Sequence, residues 1–334
     1  MAKKIILDTD PGIDDVMAIL FAEANPVIDL VAITTVYGNA TIENATQNAL
    51  FIKEKYNLKA DIAKGADKPL IKSPVGATVA VHGEKGLGDV EASAPVAVKT
   101  DVRPAFQYII DKLKAEANEI TLVAVGPLTN LALALQAAPE IVYLAKEVVI
   151  MWGAFGVNGH RGNVTPYAEA NIFDDPHAAD IVFTADWPVS IIGLDVTEES
   201  FFTADYLDKL RDDAGDVGKF IWDVSRYYLK FYSEKVGMQG CHVHDPSAIA
   251  YVINPALFSM RKGPVRVVLD GPAEGLTIQK FDQRTYMQDQ WLSAKAQYVG
   301  VGVDSKSLLE MYRQSIIGFS HSHQRVEEIV IPSV

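Results

Sequence analysis

Residues 5–15 read Ile5-Ile6-Leu7-Asp8-Thr9-Asp10-Pro11-Gly12-Ile13-Asp14-Asp15, and the fold follows from how that stretch is read. Its apolar start predicts a buried parallel strand. Pro11 and Gly12 break the strand, and Val16-Met17-Ala18-Ile19-Leu20 begins a helix. The acids therefore fall at the carboxyl end of a strand, where open α/β sheets place their sites. Carboxylates this close repel one another unless a cation joins them, and a hard divalent metal held by oxygen ligands meets that need. A simpler reading makes Asp14 and Asp15 caps on the helix, but a cap needs one acid, not four. An EF-hand loop starting at Asp8 is excluded, because Ile13 and Ile19 stand where Gly and Glu are required.

The chain has 334 residues, 49% hydrophobic and 22% charged, an ordinary globular composition with ample core. Its formal charge of −13 argues against nucleic acid or an anionic membrane as partner. Cys241 is the single cysteine, so neither an internal disulfide nor a cysteine-based zinc site is expected. The apolar start is too short for a signal peptide, and no run reaches membrane-spanning length. A cytoplasmic location is the expectation.

Strand and helix patterns alternate, which predicts an α/β fold: an open, mostly parallel central sheet with helices on both faces, Rossmann-like, plus a helical segment near the pocket mouth. Residues 1–320 are expected to form one domain, with 321–334 as a tail. Ile28 to Val36 reads as a strand ending in Tyr37-Gly38-Asn39, where Asn39 is a site candidate or a turn residue. Ile42 to Tyr56 reads as a helix. Residues 64–95 are irregular and contain His82-Gly83, a site candidate or a surface histidine. Phe106 to Ala115 is a helix. Ile120 to Val125 is a strand followed by Gly126-Pro127, which leaves the Val125 carbonyl free to act as a ligand or simply to turn.

Val148 to Met151 is a strand. After it come Asn163, Glu169 and Asn171, whose donors and acceptors suit sugar hydroxyls, though loop polarity is the reading the segment favours when taken alone. Asp174 to Phe183 is a helix, Val189 to Leu194 a strand, and Asp205 to Arg211 a helix. Lys219 to Lys235 is a helix with an unusual aromatic load that includes Tyr228 and Tyr232. Asp245-Pro246 starts a further helix with Asp245 at its cap. His242 and His244 are two apart, but nothing nearby completes a zinc site. Strands at 264–269, 275–281 and 294–303 and a helix from Leu308 to Ile317 follow.

Taken together, Asp8-Thr9-Asp10-Pro11-Gly12-Ile13-Asp14-Asp15, Gly38-Asn39, His82-Gly83, Val125-Gly126-Pro127-Leu128-Thr129-Asn130, Asn163 with Glu169 and Asn171, and His244-Asp245-Pro246 resemble the nucleoside hydrolases of the inosine–uridine-preferring type. The likeness runs over roughly residues 3–317. It implies a ribonucleoside N-ribohydrolase holding Ca²⁺ through Asp10, Asp15, Asp245 and the Val125 carbonyl. The ion would arm a water whose proton Asp10 takes as general base. The resemblance further implies Asp14 and Asn39 on ribose and water, Asn163, Glu169 and Asn171 on other sugar hydroxyls, and Met151 beneath the sugar. His244 would serve the departing base, with His82, Tyr228 and Tyr232 beside it. Related members often carry an aromatic residue where this chain has Ala170. The family implies a homodimer or homotetramer and a nucleoside substrate, with broad inosine/uridine use or a pyrimidine preference. Two other readings start from the same opening. One is a haloacid-dehalogenase-like phosphatase with Asp8 as nucleophile and Mg²⁺. The other is a non-catalytic ribose- or calcium-binding protein.

Overall fold

The computed structural model describes residues 2–92, 97–287, 291 and 294–330, the last eight of these by backbone alone. Its strands are β1 (Lys3–Thr9), β2 (Ile28–Thr35), β3 (Asp61–Lys64), β4 (Ile120–Ala124), β5 (Glu147–Ile150), β6 (Val189–Ile191), β7 (Phe201–Thr203), β8 (Gly240–His242), β9 (Phe258–Val267), β10 (Thr277–Gln279) and β11 (Ala296–Val303). One sheet runs β10-β9-β11-β6-β5-β4-β1-β2-β3, and β7 pairs with β8 in a separate ribbon. From β3 to β11 the neighbours are parallel; β9 and β10 add antiparallel strands at one edge. The α/β, mostly parallel architecture expected from the alternating pattern is the one observed.

The uninterrupted apolar opening has a direct explanation. Successive side chains of β1 point to opposite faces, and helices cover both. Ile5 and Leu7 join the core layer built on the helix Ile13–Ala24, while Ile6 packs with Leu122 and Trp152 in the other. The strand order 3-2-1-4-5-6 reverses direction between β1 and β4, so a crevice opens beyond their carboxyl ends. Asp8 pairs with Ala124 across that gap. The acidic stretch and Val125 therefore emerge side by side.

Several boundaries differ from the sequence reading. The predicted helix from Asp174 to Phe183 is two helices, Ala170–Asp174 and Pro176–Thr184, divided at Asp175, whose carboxylate caps the second by accepting from Ala178 N at 3.0 Å. β6 stops at Ile191, and Leu194 opens a short helix through Thr197. β9 begins at Phe258 because its pairing with β11 extends there, and β10 is limited to three residues. The helix read as Leu308 to Ile317 spans Ser305–Val330, so backbone assigned to the tail is helical; residues 331–334 lie outside the described residues, as do 93–96 of the long loop. β7 and β8 were not foreseen, since three-residue strands show no periodicity.

Candidate active site

A cavity of about 440 Å³ opens at the β1/β4 crevice. All the expected site residues line it except Asp10 and Asp15. Those two lie one layer deeper, hydrogen-bonded to Asn39: its backbone N–H donates to Asp10 Oδ2 at 2.6 Å and its amide to Asp15 Oδ2 at 2.8 Å. Asn39 is thus more than a turn residue.

Asp14, Asp15 and Asp245 each offer a carboxylate oxygen within 4.8 Å of the others, and all three are buried. Asp15 is held by Thr9 Oγ1 at 2.5 Å and by the backbone N–H of Gly12 at 2.9 Å. The Gly12 bond is the helix-capping interaction considered from sequence, so Asp15 caps and belongs to the cluster at once. Asp14 accepts from Tyr228 Oη at 2.6 Å and from His244 N at 3.3 Å. Asp245 precedes the helix Pro246–Ile253, yet its carboxylate makes no capping bond. The capping expected of it is not observed; its carboxylate is in the acid cluster instead.

Asp10 stands outside the tight triple, but it feels the charge of Asp15, and its own charge is felt by Asp245. Its Oδ1 is buried and, among the described residues, has no hydrogen-bond partner. Burying such an oxygen is costly unless a cation or a donor engages it. Backbone crowds it closely: a Cβ on Gly38 would fall 2.1 Å from Asp10 Oδ2, and one on Gly126 2.5 Å from Oδ1.

Burial raises the carboxyl pKa of all four acids, Asp10 and Asp245 most strongly. Mutual charge adds to this, from Asp15 on Asp10 and from Asp14 and Asp15 on Asp245. No lysine or arginine is among the cavity-lining residues described. An all-oxygen set of buried acids without a cationic side chain fits a hard divalent metal. Val125 lines the same cavity, and its carbonyl accepts from Asn171 Nδ2 at 2.7 Å, leaving a second lone pair.

The sugar-side candidates also have structural duties. Glu169, pushed up to about 7 by burial, caps the helix Ala170–Asp174 through the N–H groups of Asn171 and Ile172. Asn163 is exposed at the rim and accepts from Ala170 N at 3.0 Å. Met151 follows β5 and lies on the floor beside Asn171.

Both candidate histidines are neutral at pH 7, because burial lowers each to about 4. His82 is buried, not a surface loop residue. Its Nδ1 accepts from Ile13 N at 3.1 Å, so its proton sits on Nε2, 3.3 Å from Tyr228 Oη. His244 Nδ1 lies 2.8 Å from Thr197 Oγ1, and Nε2 lies 3.5 Å from Tyr232 Oη. Tyr228 and Tyr232 meet edge to face at 5.9 Å.

The cavity also includes His242, Glu198 and Met238, which were not expected, and Phe231 from the aromatic-rich helix. His242 stacks on His244 with centroids 5.9 Å apart. The His-x-His spacing was visible, but the placement of His242 depends on β8 pairing with β7, where Phe201 lies opposite His242. Glu198 is bonded to His160 Nδ1, whose Nε2 meets Glu199 at 2.7 Å. Nothing local in sequence marked that contact. Asp8 does not line the cavity; its Oδ2 accepts from Thr34 Oγ1 at 2.5 Å and Asn130 Nδ2 at 2.8 Å inside the sheet. It is unavailable as the nucleophile of a phosphatase.

Known proteins are similar to this chain in sequence and in fold. The sequence profile of a family described as inosine-uridine preferring nucleoside hydrolase matches residues 5–310. An inosine-uridine preferring nucleoside hydrolase from Crithidia fasciculata is 42% identical over 284 residues, 84% of this chain and 89% of its own. A plant nucleoside hydrolase structure superposes with a TM-score of 0.91 at 34% identity, covering 95% of this chain and 99% of the other. A purine-preferring ribonucleoside hydrolase from Gardnerella vaginalis gives a TM-score of 0.87 at 35% identity, with the same coverage.

Proposed function

The chain belongs to the inosine-uridine preferring nucleoside hydrolase family and is a ribonucleoside N-ribohydrolase, and we propose that it works with Ca²⁺ on both inosine and uridine. The observation that carries the metal is the buried cluster of Asp14, Asp15 and Asp245 beside the partnerless Asp10 Oδ1. Asp10, Asp15, Asp245 and the Val125 carbonyl would hold the ion, with Asp14 at its edge. When bound, Ca²⁺ neutralises the cluster and makes a water molecule more acidic.

The residues then divide the work. Asp10 takes the proton of the attacking water, using the oxygen that has no other partner. The C–N bond breaks with its electron pair going to the base, and the water oxygen bonds to the anomeric carbon. Positive charge grows on the ribose ring, where the surrounding carboxylates stabilise it. Asp14, Asn39, Asn163, Glu169 and Asn171 orient the sugar hydroxyls over Met151. His244, being neutral, offers an N–H hydrogen bond to the departing base. His82, Tyr228 and Tyr232 wall the base, although the Tyr228 hydroxyl is committed to Asp14.

The preference for inosine and uridine is supported by His244 at the cavity and by the name of the Crithidia relative; the Gardnerella relative favours purines. A panel of inosine, adenosine, guanosine, uridine and cytidine, read by reducing-sugar release, tests it. Chelation should abolish release and Ca²⁺ should restore it. Activity indifferent to chelation would end the metal assignment, and sugar release by Asp10→Ala would end the assignment of the base. One domain over 1–320, a cytoplasmic location and a homodimer or homotetramer belong to the same reading. Exposed Phe281, Tyr286 and Met287 near β10 give a second copy apolar surface to cover. No helix among the described residues is long and apolar enough to cross a membrane.

A further inference from the structure

We propose that Thr197 is a positioning residue for this reaction: its hydroxyl fixes the tautomer of His244 so that the ring proton sits on the nitrogen facing the cavity. The inference rests on the assignment of His244 as donor to the departing base. Thr197 ends the short helix after β6 and is fully buried. Its backbone N–H is tied to Gly193 O at 3.1 Å. His244 is held on its other side, where its own N–H meets Asp14. The 2.8 Å contact between Thr197 Oγ1 and His244 Nδ1 therefore joins two anchored groups.

A neutral imidazole carries one N–H and one lone pair. If Nδ1 carried the proton, it would donate to Thr197 Oγ1, and the threonine proton would need another acceptor. Among the described residues Oγ1 has no hydrogen-bond partner besides His244, and a buried donor left unpaired is costly. If Thr197 donates to Nδ1 instead, the threonine proton and the Nδ1 lone pair satisfy each other. The imidazole proton then lies on Nε2, beside Tyr232 at the cavity wall. The satisfied arrangement is the one that presents a donor to the nitrogen taking up the bonding pair. The opposite tautomer would present a lone pair and repel it.

Thr197→Val removes the hydroxyl and keeps the shape, while Thr197→Ser keeps the hydroxyl. Each is compared on inosine, uridine and a p-nitrophenyl riboside, whose leaving group departs as a stable anion without a donor. On the nucleosides Thr197→Val should lower kcat about tenfold or more with little change in KM, on the nitrophenyl riboside it should change little, and Thr197→Ser should restore the rate. Long-range ¹⁵N–¹H spectra of the His244 ring should show the Nε2–H tautomer in wild type and Thr197→Ser, and a mixture in Thr197→Val. Equal loss on both substrate classes, or an unchanged tautomer in Thr197→Val, overturns the inference. His244→Ala separates the two levels. Selective loss on nucleosides upholds the donor assignment, so a silent Thr197→Val would then overturn this inference alone; no loss in His244→Ala overturns both.

Discussion

Asp245→Asn should stabilise the chelated protein and cancel most of what Ca²⁺ adds to it. The carboxylates of Asp14, Asp15 and Asp245 lie within 4.8 Å of one another, so each ionised pair repels by about 3.5 kcal/mol at an effective dielectric near 20. Protonation limits that cost, because burial already raises these groups and lets the cluster keep protons. Removing one charge should therefore return only about 1–3 kcal/mol. For a chain of this length 1 kcal/mol moves the midpoint by roughly 1.5 °C, so a rise of about 2–4 °C is expected in excess EGTA. Ca²⁺ at a hundred times its Kd adds about 2.7 kcal/mol to wild type, near 4 °C, and much less to the variant. Asparagine also suits a helix start, so the helix Pro246–Ile253 should survive. Thermal melts of both proteins with EGTA and with excess Ca²⁺ measure all four states. A variant that melts lower than wild type in EGTA, or gains as much from Ca²⁺, would refute the account of the cluster as a repulsive cation site.

Gly38→Ala places a Cβ 2.1 Å from Asp10 Oδ2 at a backbone φ of +150°, so a stability loss of about 1–3 kcal/mol together with a collapse of kcat is expected in melts and turnover assays. Tyr228→Phe removes the 2.6 Å donor to Asp14; a hydrogen bond to a charged group is worth about 1.5–3 kcal/mol, so kcat/KM should fall roughly ten- to a hundredfold. Asp8, buried in the sheet, is raised to about 7. The folded state therefore binds its proton more tightly than the unfolded state, and stability falls as pH rises from about 4 through 7. Asp8→Asn should flatten that decline, gaining over wild type at pH 8 and little near pH 4; denaturant titrations at the two pH values check it.

Much of the site was legible because its chemistry is concentrated along the chain. Asp8 to Asp15 run from the end of β1 through a turn into the first turn of the helix Ile13–Ala24, and Pro11 and Gly12 mark where the chain leaves the sheet. Asn39, His82, Val125, Asn163 and Asn171 were singled out by their segments, although alone each had an ordinary turn or loop reading. Glu198 and His242 were missed as cavity residues for a different reason. That both line one cavity depends on β7 and β8 pairing across some forty intervening residues, and three-residue strands leave no alternation to read.

Local sequence was enough for the alternating α/β pattern, the parallel sheet and the amino-terminal acids, since burial on both faces and a Pro-Gly break are near-neighbour effects. It could not say which acids share an ion-sized space, which hydroxyls are already committed, or which nitrogen of His244 is protonated. Asp245 meets Asp14 because the helix Pro246–Ile253 packs against the helix Ile13–Ala24, and Tyr228 reaches Asp14 from a third helix. Those contacts, and the electrostatics they set, exist only once distant segments share one dry cavity, where each unpaired charge or donor is costly.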